Sequence, residues 1–372
     1  MLYQTHVKVH LDNIKANIEA IRERIGPSRK ILIAVKANAY GHGAVEVSRM
    51  AENTSVDFLG IATVPEGKQL RQAGIKLPIL KFSPTFQEEI VEAIRNNITL
   101  PICDETAAVE TQTACKALAK KHPVHLKIDT GMGRVGTSLE NAPTLASYIE
   151  KKCPSLILDG VFTHLPVSDS KDPSYTIKQV ELFKNCVDRI QQSIGRKIAI
   201  AHCANSGAVL NHPEAWMDMV RPGIMIYGYY PDKDTPKSLS LLPGLSFQTR
   251  VSFLKKVTKG TSIGYGRTWF AERDTWIATI PVGYADGFNR LFSNTGRVLI
   301  DGKSYPIVGR VCMDQSMVDL GPETVVSVGD MVTLIGKNGD AEITCDEWAE
   351  KLHTITYEVT CQINSRVERV YT

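Results

Sequence analysis

Residues 31–43 read ILIAVKANAYGHG, and the first five of them decide the fold. Ile31-Leu32-Ile33-Ala34-Val35 is apolar without alternation, the pattern of a strand covered on both faces, as in a parallel sheet. Lys36 then stands where more core is expected, just before a loop containing Gly41, His42 and Gly43. Further apolar runs near 57–62, 78–82, 98–103, 124–128, 156–163, 198–202 and 219–227 take turns with helical patterns at 64–73, 105–121 and 175–194. About eight strand–helix units in roughly 230 residues predict a closed (β/α)8, TIM-like barrel over residues 11–235. An open doubly wound sheet is the alternative.

Upstream, His6-Val7-Lys8-Val9-His10-Leu11 alternates as a half-buried strand does, so residues 1–10 are expected to form a strand that joins a second domain. Asp12 is placed to cap a helix whose Ile14, Ile18, Ile21 and Ile25 share one stripe, closed by Gly26-Pro27. Downstream, YYPDKDTPKSLSLLPG (229–244) reads as a linker, and short β runs near 247–253, 275–280, 297–300 and 331–335 predict a mostly β C-terminal domain at 236–372.

The bulk chemistry narrows the class. With 43% hydrophobic and 22% charged residues the chain is a globular protein, and a net charge of +3 does not suit a nucleic acid or an anionic membrane. No apolar stretch has the length of a signal peptide or a membrane span, so a cytoplasmic location is expected. The eight cysteines lack any Cys-x-x-Cys spacing, which predicts reduced thiols and no metal site.

In a parallel barrel the chemistry gathers at the C-terminal mouth. Lys36 ends one strand, Lys127 and Asp129 end a second, His164 a third, His202 with Asn205 and Ser206 a fourth, and Arg221 before Pro222-Gly223-Ile224 a fifth. Each alone has a plain reading: a surface lysine, a hydrogen-bonded histidine, a turn. Five together predict an active site. A desolvated lysine loses its proton more readily and can condense with an aldehyde. Tyr40, Ser206 and the backbone of Gly223 and Ile224 are donors for a phosphate. Lysine, phosphate donors and an arginine together fit pyridoxal 5'-phosphate.

The stretch AVKANAYGHG (34–43) resembles the cofactor-binding segment of the bacterial alanine racemases, and the resemblance continues through HLKIDTGMGRVG, VFTHL, HCANSG, VRPGIMIYG, GYGRTW, PVGYADGFNR and GRVCMDQ in the same order. It implies that Lys36 holds the cofactor covalently and works on one face of the substrate, with Tyr265 on the other. Arg221 would bond the pyridine nitrogen and Arg134 the phenolic oxygen. Tyr40, Ser206, Gly223, Ile224 and Tyr357 would hold the phosphate, and His164 would flank the ring. Met313, Tyr284 and Arg134 would contact the substrate, and Lys127 matches a lysine often carbamylated in the family. The resemblance further implies a homodimer with shared active sites, and D-alanine made for peptidoglycan. After VFTHL the sequence departs from the family: Pro166 and Ser168 precede Asp169 where small residues are usual. The competing functions are a serine or broad-specificity racemase, a non-catalytic cofactor carrier and a fold-related decarboxylase.

Overall fold

The computed structural model describes residues 4–372 and separates into two units, Ile14–Leu242 and a second made of the residues up to Asn13 together with Pro243–Thr372. In the first unit eight parallel strands follow one another around a barrel: β1 Lys30–Ala34, β2 Phe58–Ile61, β3 Ile79–Lys81, β4 Ile98–Ile102, β5 His122–Lys127, β6 Leu156–Phe162, β7 Ile200–His202 and β8 Met219–Val220. Ladders join β1 through β7 in chain order, and β8 returns to pair with β1 through Lys30 and Ile31. The β7–β8 seam carries no ladder. It is bridged by Asp218 N–H to Ala201 C=O (3.1 Å) and Arg221 N–H to Ala204 C=O (2.8 Å), with Ala201 N–H donating to the Asp218 carboxylate at 2.8 Å. The barrel is therefore nearly closed.

Alternation along the strands sorts side chains to the two faces. Leu32, Phe58, Leu80, Ile200 and Met219 form one buried cluster drawn from five strands, while Ile31 and Ile33 beside Leu32 are also fully buried. Each such side chain adds about 1.5–3 kcal/mol by leaving water. Helices follow β1 to β7, among them Val64–Gln72, which opens with a capping box between Thr63 and Glu66. A Cβ on Gly67 would come within 2.5 Å of Ile98 and 2.8 Å of Ile61, so glycine lets this helix lie directly on the strands.

In the second unit, His6–Val9 pairs antiparallel with Leu245–Arg250 and parallel with Glu368–Tyr371 inside a seven-stranded sheet. A three-stranded sheet of Phe253–Val257, Thr275–Ile280 and Ser316–Gly321 adjoins a short hairpin, Ser262–Ile263 with Trp269–Phe270.

Some boundaries differ from the sequence reading. The apolar run 219–227 is not one strand: β8 stops at Val220, Pro222 lacks an amide for the ladder, and Ile224–Tyr227 forms a 3-10 turn. The helix expected over 105–121 ends at Ala117, because Ala119 turns left-handed (φ 51°) ahead of β5. Asp12 lies in the first turn of a helix that already begins at Leu11. Two helices in the second unit, Cys345–Leu352 and Thr356–Gln362, were not anticipated.

Candidate active site

β1 ends at Ala34, not at Lys36. The chain then makes a left-handed turn, with Ala37, Asn38, Ala39 and Tyr40 at φ 51–54°. Such a conformation costs an L-residue about 1–2 kcal/mol and is seldom sustained over several residues. Strain of this kind collects at functional sites. The turn is tied from several sides: Ala39 N–H donates to Val35 C=O (2.8 Å), Gly43 N–H to Asn38 C=O (2.9 Å), and Ala44 N–H to the Asn38 side chain (2.9 Å). Lys36 is half-buried, its Nζ lying 5.2 Å from the centre of the Tyr40 ring.

On the far side of the mouth Gly223 N–H donates to Ser206 Oγ at 2.8 Å. A Cβ on Gly223 would sit 2.9 Å from the Tyr40 hydroxyl, so only glycine leaves that hydroxyl in place. Tyr40, Ser206, Gly223 and Ile224 are thus drawn together in the first unit, and all four are buried.

Arg221 is buried at the centre. Nη1 donates to His202 Nδ1 (3.0 Å), and Nη2 donates to Thr163 C=O (2.7 Å) and Cys203 C=O (3.1 Å), with His164 Nδ1 at 3.5 Å. None of these contacts engages Nε, which leaves a guanidinium donor for a ligand. Burial presses Arg221 down to about 10, so it stays cationic at neutral pH. An arginine can only donate, which fixes the histidines behind it. His202 Nδ1 must accept, so its Nε2 carries the proton and donates to His125 Nδ1 at 3.0 Å. Burial, reinforced by Arg221, lowers His125 to about 3 and His202 well below the usual histidine value. The His202 ring also stacks on Phe162 at 5.0 Å.

Lys127 ends β5 only 5% exposed, its Nζ donating to Ile128 C=O (3.3 Å) above Phe162. Burial first, then Arg221, lowers its amine to about 7. Asp129 accepts from Gly131 N–H (2.9 Å) and Gly133 N–H (3.0 Å), folding the loop that presents the exposed Arg134. His164 is half-buried and held well below its usual value by burial and then by Arg221, Lys127, Arg134 and Lys36. Basic side chains led by the cationic Arg221 around one neutral imidazole make the mouth a receptor for anions.

That chemistry tests the fit of pyridoxal phosphate. The arrangement offers hydroxyl and amide donors about a glycine cradle, a half-buried lysine amine and a buried arginine donor, and these residues suit a phosphate, an aldehyde and a ring nitrogen in turn.

Tyr265, Tyr284, Met313 and Tyr357 belong to the second unit. Tyr265 starts a turn at the tip of the short hairpin, between Gly264 (φ 76°) and Gly266 (φ 72°), and a Cβ on Gly264 would meet Met317 at 2.9 Å. Tyr265 is 72% exposed, Met313 53% and Tyr284 44%, whereas Tyr357 is half-buried. Sequence reasoning overlooked Lys81, a buried lysine at the end of β3 whose Nζ donates to Ser83 C=O (3.0 Å) and Pro84 C=O (2.5 Å). Its position repeats the signal that singled out Lys36. Glu66 and His125 were overlooked as well. Among the described residues no helix is long and apolar enough to cross a membrane, and no three metal-ligating side chains cluster. Cys103, Cys115, Cys153, Cys186, Cys203 and Cys312 are free thiols.

Two family models match the chain, "Alanine racemase, N-terminal domain" over residues 9–231 and "Alanine racemase, C-terminal domain" over residues 244–371. An alanine racemase of Cutibacterium acnes is 45% identical over 369 residues, covering 99% of this chain and 97% of its own. Among solved structures, an alanine racemase of Clostridium difficile superposes with a TM-score of 0.96 at 38% identity, covering 100% of this chain and 96% of its own. One from Bacillus anthracis with bound L-Ala-P gives 0.93 at 35% identity, with coverage of 100% and 96%.

Proposed function

The chain belongs to the alanine racemase family, and on that premise we propose that it interconverts L-alanine and D-alanine by a two-base exchange at a site shared between two copies. The family makes it an isomerase; the bases, the cofactor and the assembly are our reading. The observation that carries it is the first unit's mouth, where Lys36, Tyr40, Ser206, Gly223 and a buried, cationic Arg221 converge among further positive charges.

Pyridoxal phosphate, when bound, supplies an electron-withdrawing ring that weakens the α C–H bond of the amino acid. Lys36 would hold it covalently, and once the substrate's amine has displaced the lysine, the freed Nζ would take or return the α-proton on one face. Tyr265 Oη does the same on the opposite face, because inversion needs a donor and an acceptor on different sides of one carbon. Arg221 would give the ring nitrogen a hydrogen bond and keep its own proton, which would restrain competing reactions such as transamination. His164 would flank the ring while Tyr40, Ser206, Gly223, Ile224 and Tyr357 would hold the phosphate. Arg134 would bond the phenolic oxygen and, with the Met313 backbone and Tyr284, would contact the substrate. An amine lowered to about 7 is largely neutral at physiological pH, and so able to take up carbon dioxide. A carbamylated Lys127 would be an anion able to orient Arg134, where a plain ammonium would repel it.

The exposure of Tyr265, Met313 and Tyr284 supports a site completed by a second copy of the chain. The product would serve cell-wall synthesis in the cytoplasm. The test is loss of optical rotation from L-alanine by the loaded protein, run in deuterated water. Solvent deuterium should enter Cα in both directions. Unchanged rotation would overturn the reading, and an equal rate on L-serine would replace it with a broad-specificity racemase.

A further inference from the structure

Resting on that reading, we infer that Glu66 is a positioning residue for Lys36: its carboxylate clamps the left-handed turn that carries the amine. Glu66 Oε2 accepts from Ala62 N–H at 2.8 Å and Thr63 N–H at 3.0 Å. These are the local bonds by which a glutamate at this position closes the start of its own helix. Oε1 does something else. It accepts at 2.7 Å from the Ala37 N–H, an amide 29 residues upstream, in the loop after the neighbouring strand.

Ala37 follows Lys36 directly and is the first of the four consecutive left-handed residues. The far end of that turn is tied by Asn38 to Ala44 and Gly43, but at the Lys36 end Glu66 supplies the side-chain anchor. A right-handed Ala37 would turn its amide away from the carboxylate and re-aim the lysine, so Glu66 selects the costly conformer. The carboxylate is held in reach because Gly67 lets its helix rest on Ile61 and Ile98. Glutamine cannot take over both duties: it has one acceptor oxygen, and its NH2 would face amide donors.

The test sets Glu66→Gln and Glu66→Ala beside Thr63→Ala, all in the full chain. Thr63→Ala removes the reciprocal cap, in which Glu66 N–H donates to Thr63 Oγ1 at 3.4 Å, and leaves Ala37 clamped. In the cofactor-free protein, amide exchange at Ala37–Gly41 should be faster in both Glu66 variants and unchanged in Thr63→Ala. In the loaded enzyme the Glu66 variants should lose about ten- to a hundredfold in kcat with KM within about twofold, the scale of a displaced catalytic group. The pH midpoint of the bound cofactor's visible band should move with them. Glu66 variants that match Thr63→Ala in exchange, kcat and midpoint would reduce Glu66 to a helix cap and overturn the inference. Should Glu66→Ala fail to fold, the near-isosteric Glu66→Gln carries the comparison. Failure of the racemase reading would show in the wild-type chain, as absent turnover, while amide exchange still reports on Glu66.

Discussion

Two buried side chains make stability rise with pH, each in its own window. His125 is neutral in the folded chain down to about pH 3, whereas an unfolded histidine takes a proton near 6.5. Between those values the unfolded chain binds the extra proton, so stability falls as pH drops through that window, by an amount on the order of 5 kcal/mol for this residue alone. His125→Gln should therefore flatten the acid side of a Tm-against-pH curve; parallel curves would contradict the assignment. Lys127 deprotonates at about 7 when folded and near 10.5 when unfolded. The unfolded chain again holds more protons between the two, so without carbon dioxide the stability should rise from pH 7 to 10. Relative to Lys127→Met, the wild type should gain over that range, and carbon dioxide should shrink the difference by converting the amine. At this scale the sequence was readable where a polar residue interrupted an apolar run, as at Lys36, Lys127 and Arg221. It was silent where a role comes from a neighbour distant along the chain, as when Glu66 meets Ala37 or His125 meets His202.

Elements translate such contacts into placement. Ser168, one of the two departures after VFTHL, is buried and donates to Asn205 Oδ1 at 2.6 Å, and that same oxygen accepts Ala208 N–H at 3.1 Å to cap the helix Ser206–Asn211. Asn205 Nδ2 meanwhile donates to Leu165 C=O at 2.9 Å. The unusual loop is thus fastened to the helix that presents Ser206. Asn205→Ala should cost about 2 kcal/mol through cap and loop together, Ser168→Ala about 1, as read by denaturant unfolding. Weakened retention of the cofactor in Asn205→Ala alone would follow if the cap holds Ser206 in place. Strand positions were legible because parallel strands are continuous apolar runs, eight of which the chain displays. The split of 219–227 was not, since Pro222 and Gly223 change the backbone without changing the hydrophobicity. For the same reason the left-handed turn after β1 left no trace beyond Gly41 and Gly43.

For the whole molecule, the separation of Lys36 and Tyr265 into different units is the point open to a decisive measurement. Lys36→Ala and Tyr265→Phe should each be inactive. If every site joins one copy's lysine to the other's tyrosine, a mixed dimer has one site with both lesions and one with neither, and activity should return after subunit exchange. Persistent inactivity after demonstrated exchange would refute the shared site. The (β/α)8 barrel was legible from its repeat of strand and helix, and residues 1–10 read as a strand joining the second domain. The partners of that strand were not legible, because strand order in a mixed sheet leaves no mark in the local pattern. His6–Val9 lies between Leu245–Arg250 and Glu368–Tyr371 in that sheet. On a ribosome this strand emerges before the barrel, whereas both of its partners emerge after it. The barrel can close while synthesis continues, but the sheet must wait for Glu368–Tyr371, with the chain between the paired strands made in full. The unit bearing Tyr265 then matures after the barrel, so a polypeptide cut short before Glu368 would carry a finished barrel and an unfinished tyrosine arm.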